Sequence, residues 1–449
     1  MEIYRDIIGA FNDWRRTSGR KPLLLGGARQ VGKTWVMESF GRDYFDNYVK
    51  IDFNSQPEAA QIFSVTKDPR RIIKELALYS GKPVLPEKTL IIFDEIQECE
   101  NALNVLKYFC EEAPEYCVMG AGSLLGVAVR HKSMSVPVGK VRMMRLYPLT
   151  FREFLRSADE GAYAYVEAAD PLEPLPDYIL NRLESEYRRF QICGGMPDAA
   201  KTMLEGKGMD EVEQTLQDIL DLYELDFAKY AEPREIPRIS AVWHSLPSQL
   251  AKENRKFIYN VIRSGARSKD YEDALLWLKN AGMIYTLHET SKPGVPLSAY
   301  LSPGIFKAYA CDCGLLRRLA RLSPRVMLDP IGGYTEFKGA LAENMAIQNI
   351  MPDERRQSLG YWTSEGKAEV DLLIEKDNDI FPVEIKSGDN VSGKSLYQYN
   401  LKFAPRLLIR LSRQNVKFTG RLLNYPLALA PWLPHRLPEI MASAGSAAS

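Results

Sequence analysis

The octapeptide Gly27-Ala28-Arg29-Gln30-Val31-Gly32-Lys33-Thr34, entered directly from the apolar run Leu23-Leu24-Leu25-Gly26, constrains this chain more than any other feature. The short apolar run reads as a buried strand. The glycines let the backbone curl until successive N–H groups face one way. A helix is predicted over Trp35–Phe40, so its N-terminal dipole reinforces the same field. Such a strand–loop–helix unit binds phosphate oxygens. The spacing is that of the Walker A loop, in which Lys33 contacts the β- and γ-phosphates and the Thr34 hydroxyl ligates Mg²⁺. An ATP site with Mg²⁺ is therefore predicted at residues 27–34.

A second element points to the same chemistry. Thr89-Leu90-Ile91-Ile92-Phe93 is an apolar strand that ends in Asp94-Glu95, as a Walker B element does. A carboxylate at the tip of a strand beside the loop holds the Mg²⁺ hydration shell, the part given to Asp94. Glu95 then orients and deprotonates the attacking water.

Length and composition set the frame. At 449 residues the chain needs two or three domains, and 45% hydrophobic with 26% charged residues is a globular mixture. Lys+Arg and Asp+Glu are equal at 58 each, so a nucleic-acid site has to be a local patch. Six scattered cysteines form no zinc spacing or disulfide framework. No run reaches the roughly 18 apolar residues of a membrane span, and no signal peptide is evident. A cytoplasmic protein without a membrane partner is expected.

From about Pro22 to Met143, short strands alternate with amphipathic helices, the pattern of a parallel α/β sheet. Strands are predicted at Lys21–Leu25, Tyr48–Phe53, Thr89–Asp94, Tyr116–Met119 and Val141–Leu146. Acidic, proline-bearing Ser157–Tyr178 reads as an exposed linker. Helical periodicity runs from about Tyr178 to Tyr230, broken at Gly194-Gly195-Met196-Pro197. Three helices and two short strands (Met283–His288, Pro296–Leu301) follow, the order of a winged helix-turn-helix. Its recognition helix, Ser268–Ala281, is acidic at Asp270, Glu272 and Asp273. Packing and DNA reading are therefore both open for it.

The C-terminal third holds a hairpin, Ala368–Glu375 and Ile380–Ser387, joined by Lys376-Asp377-Asn378-Asp379. Alternation along each strand puts Glu369 with Asp371, and Glu384 with Lys386, on shared faces. If those faces coincide, Asp371 and Glu384 can hold a divalent metal while Lys386 activates a water. A solvated charged hairpin, and a fold kept for binding without cleavage, are the other readings. Between Asn390 and Pro438 no acid occurs, yet Lys394, Lys402, Arg406, Arg410, Arg413, Lys417, Arg421 and Arg436 do. Such a stretch suits DNA phosphates.

The chain resembles, over nearly all its length, a large prokaryotic family of AAA-type ATPases fused to a C-terminal domain of unknown function. The resemblance rests on Gly27–Thr34, Phe93-Asp94-Glu95-Ile96-Gln97, Gly120–Gly126, Val136–Val141, Arg145–Phe154, Gly194-Gly195-Met196-Pro197 and Lys307–Leu316. It implies an α/β fold: an AAA-like parallel sheet at 1–156, a linker and helical lid at 157–235, a winged-helix segment at 236–322, and a nuclease-like α/β domain at 323–440. A disordered tail at 441–449 completes the expectation. Ser123 is similar to a sensor residue that feels the γ-phosphate, with a helix or turn cap as its other reading. A ring of AAA-like copies implies an arginine finger, for which Arg130, Arg142 and Arg145 are in the right part of the chain. The hairpin resembles the PD-(D/E)XK nuclease signature at Asp371, Glu384 and Lys386, with Glu343 as its additional acid. ATP, DNA and a second copy of the chain are thus the candidate partners. The rival to an ATPase controlling a nuclease-like half is an ATP-dependent scaffold that cuts nothing.

Overall fold

The computed structural model describes residues 2–122, 137, 139–252, 255–328, 335–353, 357–364, 368–388 and 393–446. Five parallel strands form the first sheet: β1 (Leu23–Gly26), β2 (Asn47–Asp52), β3 (Thr89–Asp94), β4 (Cys117–Ala121) and β5 (Arg142–Arg145). Their order is β2-β3-β4-β1-β5, and each lies within about two residues of its predicted place. β3 is buried along its whole length, as a strand covered on both faces has to be. β4 lies between β1 and β3, so the loop strand and the acid-tipped strand are not neighbours. They nevertheless end on the same edge, because all five strands run parallel.

Residues 157–178 are not an exposed linker. Helices Phe151–Ala158 and Glu160–Ala168 bury Phe154, Leu155, Ala162 and Val166, and Leu175 is buried before the next helix. Prolines and acids here punctuate packed helices instead of solvating a tether. A capping box on Thr150 and Glu153 starts the first of them. Helices Asp177–Cys193, Pro197–Leu204 and Met209–Tyr230 follow, with the predicted break at Gly194–Pro197.

The second sheet has eight strands: β6 (Ile284–Thr290), β7 (Ser302–Ala310), β8 (Ser358–Ser364), β9 (Ala368–Lys376), β10 (Asp379–Ile385), β11 (Leu408–Ser412), β12 (Lys417–Thr419) and β13 (Leu422–Pro426). The order is β12-β13-β11-β10-β9-β8-β6-β7. The second strand expected at Pro296–Leu301 is displaced: Leu297–Tyr300 is a 3-10 turn, and β7 starts at Ser302. An edge strand tolerates Pro303, which has no N–H to donate. The boundary expected at residue 322 does not divide two sheets, since β6 pairs in parallel with β8 through Glu289 and Thr290. The β9–β10 hairpin forms as predicted, turning on Asp377 and Asn378 with φ of 52° and 65°. That is the two-residue turn whose twist matches its strands. The tail expected to be disordered from Met441 is helical through Ser446, anchored by buried Leu437 and Ile440.

One continuous apolar core runs from Ile3 to Ile440 and joins the first sheet, the helices and the second sheet.

Candidate nucleotide site and the C-terminal charge cluster

The loop after β1 has the backbone its glycines predict. Gly27 sits at φ 146° and Gly32 at 86°, where a side chain is strained. A Cβ on Gly27 would also overlap the Leu146 carbonyl oxygen. Gly32 caps the helix Lys33–Tyr44. Lys33 Nζ donates to the carbonyls of Gly27 (3.1 Å) and Ala28 (2.8 Å) and is buried. Burial lowers its ammonium to about 8, against the pull of Glu95 and Asp94.

At the tip of β3, Asp94 Oδ2 accepts from the Thr34 hydroxyl at 2.6 Å. Burial raises the Asp94 carboxyl; the Thr34 bond opposes the rise and Glu95 adds to it. Glu95 has φ 47°, a strained position for a residue with a side chain, and its carboxylate accepts from Gln97 Nε2 at 2.5 Å. A cavity of about 410 Å³ opens over Arg29, Gln30, Lys33, Thr34, Glu95 and Lys201. The structure thus brings together Gly27–Thr34, Asp94 and Glu95 as the sequence predicts. Thr34 and Asp94 offer hard oxygens at one point, a donor set that fits Mg²⁺. Ser123 and Arg130 lie outside the described residues. Arg142 is exposed on the edge strand β5. Arg145 donates to the Lys279 carbonyl at 3.1 Å and lies over the Tyr147 ring.

Sequence reading missed the groups that clamp this loop. Buried Arg5 donates to Val31 O (2.8 Å), Tyr147 O (2.6 Å) and Glu153 Oε1 (3.1 Å). Tyr223 donates to Arg29 O at 3.0 Å, and the Arg29 side chain pairs with buried Asp226. Gly282 packs so tightly that a Cβ would lie 3.0 Å from Ala28 N. None of these residues carries a motif, because each acts through a contact between distant parts of the chain.

A second buried junction joins the two halves. Asp312 accepts from Gly195 N (2.5 Å), Leu315 N (2.9 Å) and Gln348 Nε2 (3.0 Å). Gln348 Nε2 also reaches Leu149 O at 3.2 Å, and Leu149 N donates to Gly195 O at 2.7 Å. Burial lifts the Asp312 carboxyl to about 6. Gly194-Gly195 is needed here because a Cβ on either would overlap Asp312 or Leu149. The adjoining Pro197 lines the nucleotide cavity.

Of the C-terminal carboxylates, Glu343, Glu369 and Glu384 each meet a cation. Glu343 pairs with Lys307 at 3.0 Å and with Arg255, and both Lys307 and Glu343 are fully buried. Lys307 also reaches Glu369 at 2.5 Å. Lys386 pairs with Glu384 at 3.0 Å, and Asp371 Oδ2 accepts from Ile385 N at 2.8 Å. Burial raises Glu384, Lys386 opposes the rise, and the charge of Asp371 adds to it. Among the described residues no three His, Cys, Asp or Glu side chains converge to hold a metal ion. The three-acid metal set of Glu343, Asp371 and Glu384 does not fit, because the Lys307 ammonium and Arg255 guanidinium already neutralise Glu343. A lone lysine inside the otherwise apolar run Ile305–Ala310 was the available signal, since buried lysines need an acid.

The basic stretch is divided as well. Arg436 donates to the Val166 and Glu167 carbonyls, Arg413 pairs with Glu184 and Arg406 with Asp379. Lys394, Lys402, Lys417 and Arg421 are exposed. Helix Glu272–Asn280, within the expected recognition helix, buries Ala274, Leu275, Trp277 and Leu278.

Loop, strand order and acid pair together form a P-loop arrangement, and residues 19–155 match the family model described as an AAA domain. Residues 184–326 match a Domain of unknown function (DUF8612), and residues 338–429 another (DUF4143). No curated protein matches the chain. Similar solved structures include the Walker-type ATPase of Pyrococcus abyssi, at 14% identity and TM-score 0.42, covering 71% of this chain and 96% of that one. The Aeropyrum pernix ORC2 protein follows at 13% and 0.35, covering 77% and 96%. Cdc6p from Pyrobaculum aerophilum is 13% identical with TM-score 0.26, covering 62% and 85%. Among the described residues no helix is long and apolar enough to cross a membrane.

Proposed function

We propose that this chain binds and hydrolyses ATP and uses the cycle to switch its C-terminal half, which serves as a scaffold for a partner. One observation carries the ATPase reading: Thr34 and Asp94 meet at 2.6 Å beside Glu95, with Lys33 held in the loop. Bound Mg²⁺ would supply charge neutralisation at the phosphates, and Thr34 and Asp94 are the residues that would hold it. Lys33 offsets β- and γ-phosphate charge. Glu95, fixed by Gln97, accepts the proton of the attacking water. The Glu95→Gln variant keeps shape but removes the base, so turnover should fall by about 10²–10⁴ while ATP binding persists. Turnover within a few-fold of the parent would move the base elsewhere.

For the C-terminal half, the neutralised Glu343 favours the scaffold over the nuclease reading. Incubation with Mg²⁺ or Mn²⁺ over linear and single-stranded DNA, with and without ATP, tests it. Cleavage by the parent that Asp371→Ala/Glu384→Ala abolishes would restore the nuclease. Exposed Lys394, Lys402, Lys417 and Arg421 make DNA the partner to try first, with affinity falling as salt rises. A second copy of the chain is the other candidate; sedimentation with and without ATP decides it. The six cysteines are free thiols, which suits the cytoplasm.

A further inference from the structure

The nucleotide cavity holds a cation that the Walker residues do not explain. Arg29 belongs to the loop itself and lines the cavity with Lys33, Thr34 and Glu95. Its side chain is 37% exposed, yet its guanidinium is paired with Asp226, whose side chain is 6% exposed. Asp226 lies on the long helix Met209–Tyr230, outside the phosphate-binding unit. One turn earlier on the same face, Tyr223 donates to the Arg29 carbonyl. The loop backbone is therefore pinned to that helix while the guanidinium reaches it through a long, rotatable side chain.

The charges around Asp226 make the pair conditional. Burial raises its carboxyl, Glu95 adds to the rise, and Arg29 and Lys229 oppose it. With no phosphate present, Arg29 is the natural counter-ion. A triphosphate in the cavity offers several more anionic oxygens to the same fork, which suits a bidentate guanidinium. Lys229 remains beside Asp226 after Arg29 leaves.

We propose that Arg29 is a phosphate-sensing catalytic residue supplied in the same chain: it exchanges Asp226 for the terminal phosphate of ATP and stabilises the charge of the transferred phosphoryl. This rests on the ATPase reading above and extends it in two ways. No arginine from a neighbouring copy is needed for turnover. Release of Asp226 also signals the nucleotide's terminal phosphate to helix Met209–Tyr230. That helix carries the signal onward, because Glu213 near its start pairs with buried Arg317 of helix Cys313–Leu319, next to Asp312.

The test compares the full-length parent with Arg29→Ala, Arg29→Lys, Asp226→Asn and the double variant Arg29→Ala/Asp226→Asn. The double variant guards against a folding artefact, since it leaves no unpaired buried carboxylate. Steady-state kcat and KM are measured, with calorimetric affinities for ADP and for ADP–aluminium fluoride. Removing Arg29, alone or with Asp226, should lower kcat by about 10²–10³, the range for one charge-stabilising donor. ADP affinity should stay within about threefold, and the preference for ADP–aluminium fluoride over ADP should be lost. Arg29→Lys should rescue only in part, because an ammonium lacks the fork. Asp226→Asn should tighten ATP by up to about tenfold, as a competing partner is gone. Parent turnover per chain should not change on dilution. If both Arg29→Ala proteins match the parent in kcat and in aluminium fluoride affinity, the inference is wrong. If the parent itself does not hydrolyse ATP, the ATPase reading fails instead. The ratio of ATP to ADP affinity then decides: its collapse in Arg29→Ala supports phosphate sensing, and an unchanged ratio overturns it.

Discussion

Raising the pH through 8 should weaken ATP binding, and Lys33 is the reason. Its ammonium is buried against the Gly27 and Ala28 carbonyls, and burial lowers it from 10.5 to about 8. Phosphates in the cavity favour the charged form, so the bound state holds its proton to higher pH than the free state. The protonated free protein is thus the binding species, and its fraction is lost as pH rises through about 8. Affinity scales with that fraction, so the dissociation constant should rise about tenfold between about pH 7 and pH 9, or about 1.4 kcal/mol. Phosphate ionisation, with a second pKa near 6, is essentially complete over that range. Titration calorimetry in two buffers of different ionisation enthalpy reads the affinity and the proton uptake together. At about pH 9 the uptake should approach one proton per ATP, and Lys33→Gln should abolish both the uptake and the slope. Equal affinity at both pH values, with no proton uptake by the parent, would refute a neutral-shifted Lys33.

Asp312→Asn keeps one acceptor for Leu315 N but turns an amide NH₂ toward Gly195 N and Gln348 Nε2. Two unmet donors should cost about 2–6 kcal/mol in urea unfolding; a loss below about 1 would show that the junction tolerates an amide. Because burial holds the Asp312 carboxyl near 6, above its ordinary 3.8, the native state binds the extra proton between those values. The parent should therefore gain up to about 3 kcal/mol, relative to the Asn variant, as pH falls through 6 toward 4. Lys307→Met strips fully buried Glu343 and partly buried Glu369 of a shared cation and should destabilise by about 3–5 kcal/mol. An unchanged melting temperature would mean that Arg255 suffices for Glu343. Gly27→Ala forces a Cβ onto the Leu146 carbonyl at φ 146°, so ATP binding should disappear in calorimetry while far-UV dichroism shows helices and strands intact. Parent-like affinity would mean that the loop can shift.

The nucleotide site was legible because its chemistry is local. Eight consecutive residues set the loop, and a six-residue apolar strand carries Asp94 to the same sheet edge. The β9–β10 hairpin was legible for a similar reason, since period-two alternation and a two-residue turn need only neighbours. Residues 157–178 misled because prolines and acids look alike in a tether and between packed helices; burial of Val166 and Leu175 depends on what covers them. The second wing strand, expected at Pro296–Leu301, begins instead at Ser302, after a 3-10 turn at Leu297–Tyr300, because β7 is an edge strand that tolerates Pro303.

By itself the sequence determined the glycine-rich loop after β1, the acid-tipped strand β3, and the hairpin that carries Asp371 and Glu384 on adjacent strands. These follow from backbone sterics and side-chain periodicity over a few residues. Only the tertiary structure decided what stands beside them. Lys307 and Arg255 reach Glu343 from 36 and 88 positions away, and Asp226 reaches Arg29 from 197. A carboxylate's role depends on the nearest charge in space, and in a low-dielectric interior that charge can come from any part of the chain.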